Sequence, residues 1–466
     1  MPKKIPFAAA LLGLLCTAAV LFFCLVKLGL SPQIPLLLGC GVSAVIALLF
    51  RWPWETICRS MVDGITQSLE AVLILLLIGT LIGVWIISGV VPAMIYYGLK
   101  LISPHLFLAS AMLVCALISM ALGSWGTAGT VGLAFMGMAQ TMGIPLPITA
   151  GAIISGSYVG DKLSPMADST NLASAVAGVK IFENIRNIFK VAMPMLILTL
   201  GLYAVVGWKY GGNMTPDALE NMIAVSDALG SAFRLDFFSF LPLFILLACI
   251  LWKIPAIPSI FIGILTGCIY GMIAQGASIR DILDCAYSGY TSHTGFSIVD
   301  DLLTAGGLSS MFYSVSIVIL AMAFGGVMEK TGQMEVLIAP IVRHTKNFVS
   351  LMAATVATCV CVNVVLPDQY IAIVLPGRMY AAQYDKQGME RRDLALGIGV
   401  GGAMTSALVP WNTCGIFMSS VLGISAAQYF PYAYYNIGML FAAVIYAALR
   451  QYKAGKRTPA SCSDET

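Results

Sequence analysis

Apolar residues in this chain fall in blocks of roughly 18–25 positions, the helix length that crosses a hydrocarbon core about 30 Å thick. In the first half the blocks lie at about 7–28, 33–50, 70–90, 146–178 and 191–208, and in the second at about 237–252, 257–275, 310–328, 393–423 and 433–450. Two longer apolar stretches, 105–142 and 348–384, are interrupted by Gly123-Ser124-Trp125-Gly126-Thr127 and by Pro367-Asp368-Gln369. Each is either two full spans or one re-entrant hairpin, and either way the chain returns to the side it came from. A polar tip at membrane depth is tolerated only where it lines a cavity, which favours hairpins. The first block follows Lys3 and Lys4 but outruns a signal-peptide core of about 7–15 residues, so it reads as the first span.

Only 10% of the 466 residues are charged, against about 25% in soluble domains, and a soluble protein of this composition would lack a surface. The net charge of +3 says little; the placement of the charges says more. With the N-terminus in the cytoplasm, eighteen of the 25 lysines and arginines fall on cytoplasmic segments and five outside, with Lys162 and Arg378 left inside membrane segments. That is the asymmetry of the positive-inside rule, and one extra or missing span would scramble it. Both termini are therefore expected in the cytoplasm.

The halves resemble each other. Gly64, Gly83-Val84 and Ser88-Gly89 match Gly307, Gly326-Val327 and Thr331-Gly332 at an offset of 243, and Pro165, Val176 and Gly178 match Pro410, Val421 and Gly423 at 245. With five spans in each half, an odd number, the second half enters the membrane upside down. The expected fold is all-α and polytopic: two inverted five-span repeats, each with a re-entrant hairpin and a discontinuous helix. Residues 1–208 form the first repeat, 209–236 an extracytoplasmic linker, 237–450 the second repeat and 451–466 a disordered cytoplasmic tail. Inverted repeats around a midplane site are common in secondary transporters, because two oppositely facing halves give two conformations of similar energy.

The most polar stretch inside a span runs from Gly156 to Asn171 and holds Ser157, Asp161, Lys162, Ser164, Asp168, Ser169 and Thr170. Unpaired charges at that depth cost at least about 2.5–3.5 kcal/mol each, and Pro165 removes a backbone donor. A helix broken over 160–168 follows, with carbonyls, hydroxyls and carboxylates offered as hard oxygen ligands and a second half-helix starting near Asp168-Ser169. The bland alternative is a kink with a Lys162–Asp salt bridge. The matching break, Thr405 to Gly415, carries Asn412 and Thr413 but no acid, so the expected site is asymmetric. Its carboxylates are Asp161, Asp168 and Asp368, and its lining is Ser124, Thr127, Ser157, Ser164, Ser169, Thr170, Asn171, Gln369, Asn412 and Thr413. Asp368 can also be read as a simple turn residue. Arg378 is expected at the cytoplasmic rim, and Glu70 and Glu329-Lys330 at span ends as interfacial groups. The twelve cysteines make no metal-ligand pattern; no HExxH occurs, and no nucleophile stands beside a plausible base, so an enzyme is not expected.

Three stretches, Gly160 to Asn171, Val374 to Tyr380 and Ser406 to Gly415, resemble the NhaC-type sodium/proton antiporters of the wider ion-transporter superfamily. The resemblance runs from about residue 30 to 450. It implies Na+/H+ exchange; the expected setting is a bacterial inner membrane, with no cofactor and no nucleic-acid partner, and a homodimer stays open because inverted-repeat transporters often dimerise. Asp161, Asp168, Ser164, Thr170, Asn171, Asn412 and Thr413 would lie near the site, with Asp161 and Asp168 holding Na+. Relatives with similar motifs also exchange small organic anions such as malate and lactate, so a carboxylate-coupled exchanger stays open. A channel lined by the two breaks is a third reading. The expected chemistry is competition: burial raises a carboxylate's proton affinity, and bound sodium stabilises the ionised form and drives the proton off.

Overall fold

The computed structural model describes residues 3–211, 216–343, 345 and 347–456. Among them the chain is all-helical apart from one isolated bridge, Tyr290 to Ala305. Six helices are long and apolar enough to cross a membrane, or up to eight if two sharply bent pairs are each one span. Large side chains such as Leu49, Val205, Trp208 and Ile273 stand exposed on their outer faces, an arrangement that calls for lipid rather than water around them. The protein is a multi-pass membrane protein.

Several elements lie where the apolar blocks gave no sign of them. Trp54–Gln67 is a helix of mixed polarity ahead of the apolar Leu69–Ile87. Val90–Leu101 is a further short helix. The stretch expected as a linker contains the helix Pro216–Ala232. Residues 276–309 hold Ile279–Ser288 and Ser297–Leu303 and pack into the molecule: the backbones of Cys285 and Gly307 lie against Gly83. The last helix, Tyr434–Lys456, carries ordered structure six residues into the expected tail; residues 457–466 lie outside the described residues.

Both interrupted stretches fold back on themselves. Helical geometry runs from Phe107 to Thr127, but Gly123 sits at φ 68°, ψ 177° inside it. The rings of Phe107 and Phe135 then meet at 5.8 Å; twenty-eight residues of straight helix would hold them about 42 Å apart. Glycine alone takes that backbone conformation without strain, so it forms the hairpin tip. The second hairpin has legs Phe348–Val365 and Gln369–Lys386, joined by hydroxyl pairs Thr358–Tyr380 at 2.9 Å and Thr355–Tyr384 at 3.3 Å.

The element boundaries recur at the offsets of the sequence match. Leu69–Ile87 falls on Phe312–Lys330 at 243, and Asp168–Ala177 on Thr413–Leu422 at 245. The packing is reciprocal too. Gly64 lies against Gly326, and a Cβ on Gly64 would stand 3.0 Å from that residue's Cα; Gly83 lies against Gly307, 3.1 Å from its amide nitrogen. Each contact joins one residue to the counterpart of the other, as in interfaces with twofold character.

The helices sort into two packed groups. One contains both hairpins, both broken helices, Ile181–Gly211 and Tyr434–Lys456; the other contains Phe7–Phe22, Gln33–Leu49, Trp54–Gln67, Leu69–Ile87, Ala256–Ala274 and Phe312–Lys330. A cavity lies between them.

Candidate functional site

The first broken helix ends at Leu163 and restarts at Asp168. Between them the backbone is extended at Ser164 (ψ 130°) and Ala167 (ψ 126°), because Pro165 can neither donate to the ladder nor tolerate a helical residue before it. Asn171 spans the gap, donating to the carbonyls of Pro165 at 2.9 Å and Ala167 at 3.0 Å. Ser164 ties the break to the first hairpin by donating to Met120 O at 2.7 Å.

Asp161, 8% exposed, sits one turn ahead of the break. Its Oδ2 accepts from Ser169 Oγ at 2.8 Å, so the carboxylate of one half-helix is held by the first turn of the other. Lys162, 1% exposed, donates to the same Ser169 Oγ at 2.6 Å, with its ammonium 3.7 Å from Asp161 Oδ2. The kink and the salt bridge both exist, but within a larger polar cluster. Asp161 Oδ1 receives no hydrogen bond among the described residues; the Gly123 tip lies beside it, where an added Cβ would come within 3.8 Å.

The second hairpin tip supplies Asp368, 7% exposed, at the N-cap of Gln369–Lys386. Its Oδ1 accepts from the amides of Tyr370 (2.8 Å) and Ile371 (3.0 Å), leaving Oδ2 without a donor among the described residues. The turn reading of Asp368 describes one of its oxygens only. The second break is locked to this tip: Thr413 N donates to Pro367 O at 2.9 Å, Asn412 caps Cys414 N at 3.1 Å, and the amide of Asn412 donates to Asn363 Oδ1 at 3.0 Å. Ser406, the counterpart of Asp161, reaches Gln369 Oε1 at 3.4 Å.

These parts meet in one cavity of about 370 Å³. Asp161, Asp168, Asp368, Ser124, Ser164, Ser169, Gln369 and Thr413 line it. Asp168 is open to it, whereas Asp161 and Asp368 are buried at its wall. The other five expected residues lie outside the lining. Thr127 donates to Gly123 O at 2.9 Å and Thr170 to Asp161 O at 3.3 Å, so both brace residues that do line it. Asn171 and Asn412 hold the two breaks, and the buried Ser157 hydroxyl has no partner among the described residues.

Trp125, Tyr370 and Glu70 are among the lining groups that escaped the sequence reading of the site. Trp125 and Tyr370, 245 residues apart, flank the two tips, and Trp125 stacks on Phe417 at 4.3 Å. Glu70, expected as an interfacial residue, also faces the cavity. The signal available for Glu70 was a lone acid opening an otherwise apolar helix. Arg378 is exposed and outside the lining, in keeping with a structural place for it.

Known proteins resemble this chain in sequence over most of its length. Residues 156–450 match the Na+/H+ antiporter family. The chain is 35% identical to the Malate-2H(+)/Na(+)-lactate antiporter of Bacillus subtilis, covering 90% of each protein. It is 32% identical to the Na(+)/H(+) antiporter NhaC of Alkalihalophilus pseudofirmus, covering 96% of this chain and 97% of that one. It is 34% identical to the Arginine/ornithine antiporter ArcD of Halobacterium salinarum, covering 94% and 91%. This chain belongs to the NhaC-type Na+/H+ antiporter family.

Proposed function

We propose that the protein exchanges Na+ for H+ at the cavity between the two helix groups, with the ions alternating on Asp161, Asp168 and Asp368. One observation carries the reading: three carboxylates from separate elements converge on a single cavity, and two of them keep an oxygen free of any donor among the described residues. Hard oxygen ligands suit a small alkali cation, and a carboxylate that releases sodium can take a proton instead. Lys253 is the cationic residue among the lining groups, opposed by four acids, a balance that favours cations over anions.

The orientation inferred from the charges places Gln67, Glu70 and Lys253 at cytoplasmic ends of their helices, so the cavity opens inward. The reciprocal glycine contacts support two inverted repeats, 1–208 and 237–450. Exchange of roles between the repeats would then open the opposite side, which is alternating access.

A carboxylate-coupled exchange is the second reading. The half-helix N-termini at Asp168 and Thr413 open on the cavity, and helix starts attract anions; the malate/lactate relative points the same way. Reconstitution into proteoliposomes with a pH-sensing dye separates the two. The leading reading expects Na+ addition to drive protons with no organic anion present. Proton movement that requires malate or lactate would replace it with the second.

A further inference from the structure

Glu70 opens the helix Leu69–Ile87 and faces the cavity that holds Asp161 and Asp168. Asp168 lines the same cavity, and Glu70 makes no ion pair or hydrogen bond among the described residues. The bland account is helix-end electrostatics, since an acid in the first turn gains about 0.3–1 kcal/mol from the macrodipole. The other half of the molecule argues against that account. At the 243-residue offset the counterpart of Glu70 is Tyr313, and Phe312–Lys330 has no acid in its first turn. The matching helix is thus built without the carboxylate.

We propose that Glu70 is a cation-capture residue serving the cytoplasmic entrance: it concentrates Na+ at the mouth and passes it to Asp168, a role that its counterpart Tyr313 has no charge to fill. The proposal deepens the Na+/H+ exchange reading and rests on it. A carboxylate in a cleft with low-dielectric walls raises the local concentration of cations. Asp161 and Asp368, each more than nine-tenths buried with one oxygen unbonded, are the deeper ligands toward which the cation then moves. Glu70 is a positioning residue in this scheme, since it need not hold the ion during exchange.

The test is Glu70→Gln in the full chain, reconstituted with its sidedness determined, with Na+ supplied to one face at a time. The apparent KM for Na+ at the cytoplasmic face should rise by about threefold to tenfold, with the maximal rate kept and the KM at the other face unchanged. The rise should shrink in concentrated choline chloride, where charges are screened within about 3 Å at 1 M, and Glu70→Asp should restore most of the affinity. An unchanged KM at both faces, an equal rise at both, or a lowered melting temperature with intact KM would overturn the proposal. Wild-type exchange with an unaffected Glu70→Gln variant removes Glu70 alone; a wild-type protein that moves no protons on Na+ addition removes both it and the exchange reading.

Discussion

Lys162 illustrates how much a single side chain in this site depends on its neighbours. A buried ammonium needs its charge answered nearby, and Lys162 has Asp161 at 3.7 Å and a shared hydroxyl, Ser169, between them. Removing one partner of a buried pair leaves the other uncompensated and costs about 3–5 kcal/mol. Lys162→Met and Asp161→Asn should therefore each destabilise strongly, while the double variant should be less destabilised than their sum, as expected for coupled residues. Thermal unfolding of the four proteins in detergent checks this; strict additivity would show that the two charges do not depend on each other.

At the scale of elements, the segment 276–309 behaves differently from an open loop. Asp300 gathers four donors from residues 292–295: the Thr294 amide at 2.6 Å, Ser292 Oγ at 2.7 Å, Thr294 Oγ1 at 2.8 Å and the Gly295 amide at 3.1 Å. Hydrogen bonds from the Thr294 amide and the Ser292 hydroxyl, the two largest causes, hold its carboxyl at about 2. An unperturbed aspartate titrates near 3.9. The folded-state value is depressed, so the tie is fully present above the unfolded value and is lost as pH falls through about 2. Pepsin should spare Phe296 at pH 4 in the wild type and cut there near pH 2, and Asp300→Asn should be cut already at pH 4. Equal resistance of the variant at pH 4 would mean that the carboxylate does not hold the loop.

The elements also show what the sequence could and could not disclose. Broken helices were legible because Pro165 and Pro410 stand among polar residues inside apolar runs, and hairpin tips because Gly123 and Asp368 interrupt others. Trp54–Gln67 was not legible, since a helix of mixed polarity leaves no apolar block; neither was the packing of 276–309, which depends on Gly79 and Gly83 presenting bare backbone to Gly307. In the site, the carboxylates announced themselves by the cost of charge at depth. Trp125 and Tyr370 did not, because an aromatic residue in an apolar helix is ordinary until a cavity is seen beside it. Thr127 and Ser157 were assigned to the lining on polarity, and Thr170, Asn171 and Asn412 by the family resemblance as well. Which side of a broken helix faces the cavity is set by tertiary packing, and they fell outside the lining.

For the whole molecule, the two-group division and the recurrence of helices at the offsets of the sequence match belong together. Offsets of 243 and 245 residues carry element onto element, yet the polar contents diverge: Asp161 faces Ser406 in the alignment of the halves, Asp168 faces Thr413, and Gly123 faces Asp368. These helices thus recur where the chemistry does not, and the carboxylates of both halves are pooled in one cavity. Of Asp161, Asp168 and Asp368, Asp168 alone is exposed to that cavity, and it opens a half-helix. The direct measurement is Na+-driven proton movement in proteoliposomes containing Asp168→Asn, with reconstitution confirmed by the amount of folded protein in the vesicles. The account predicts loss of exchange at every Na+ concentration; exchange at the wild-type rate by the folded variant would contradict it.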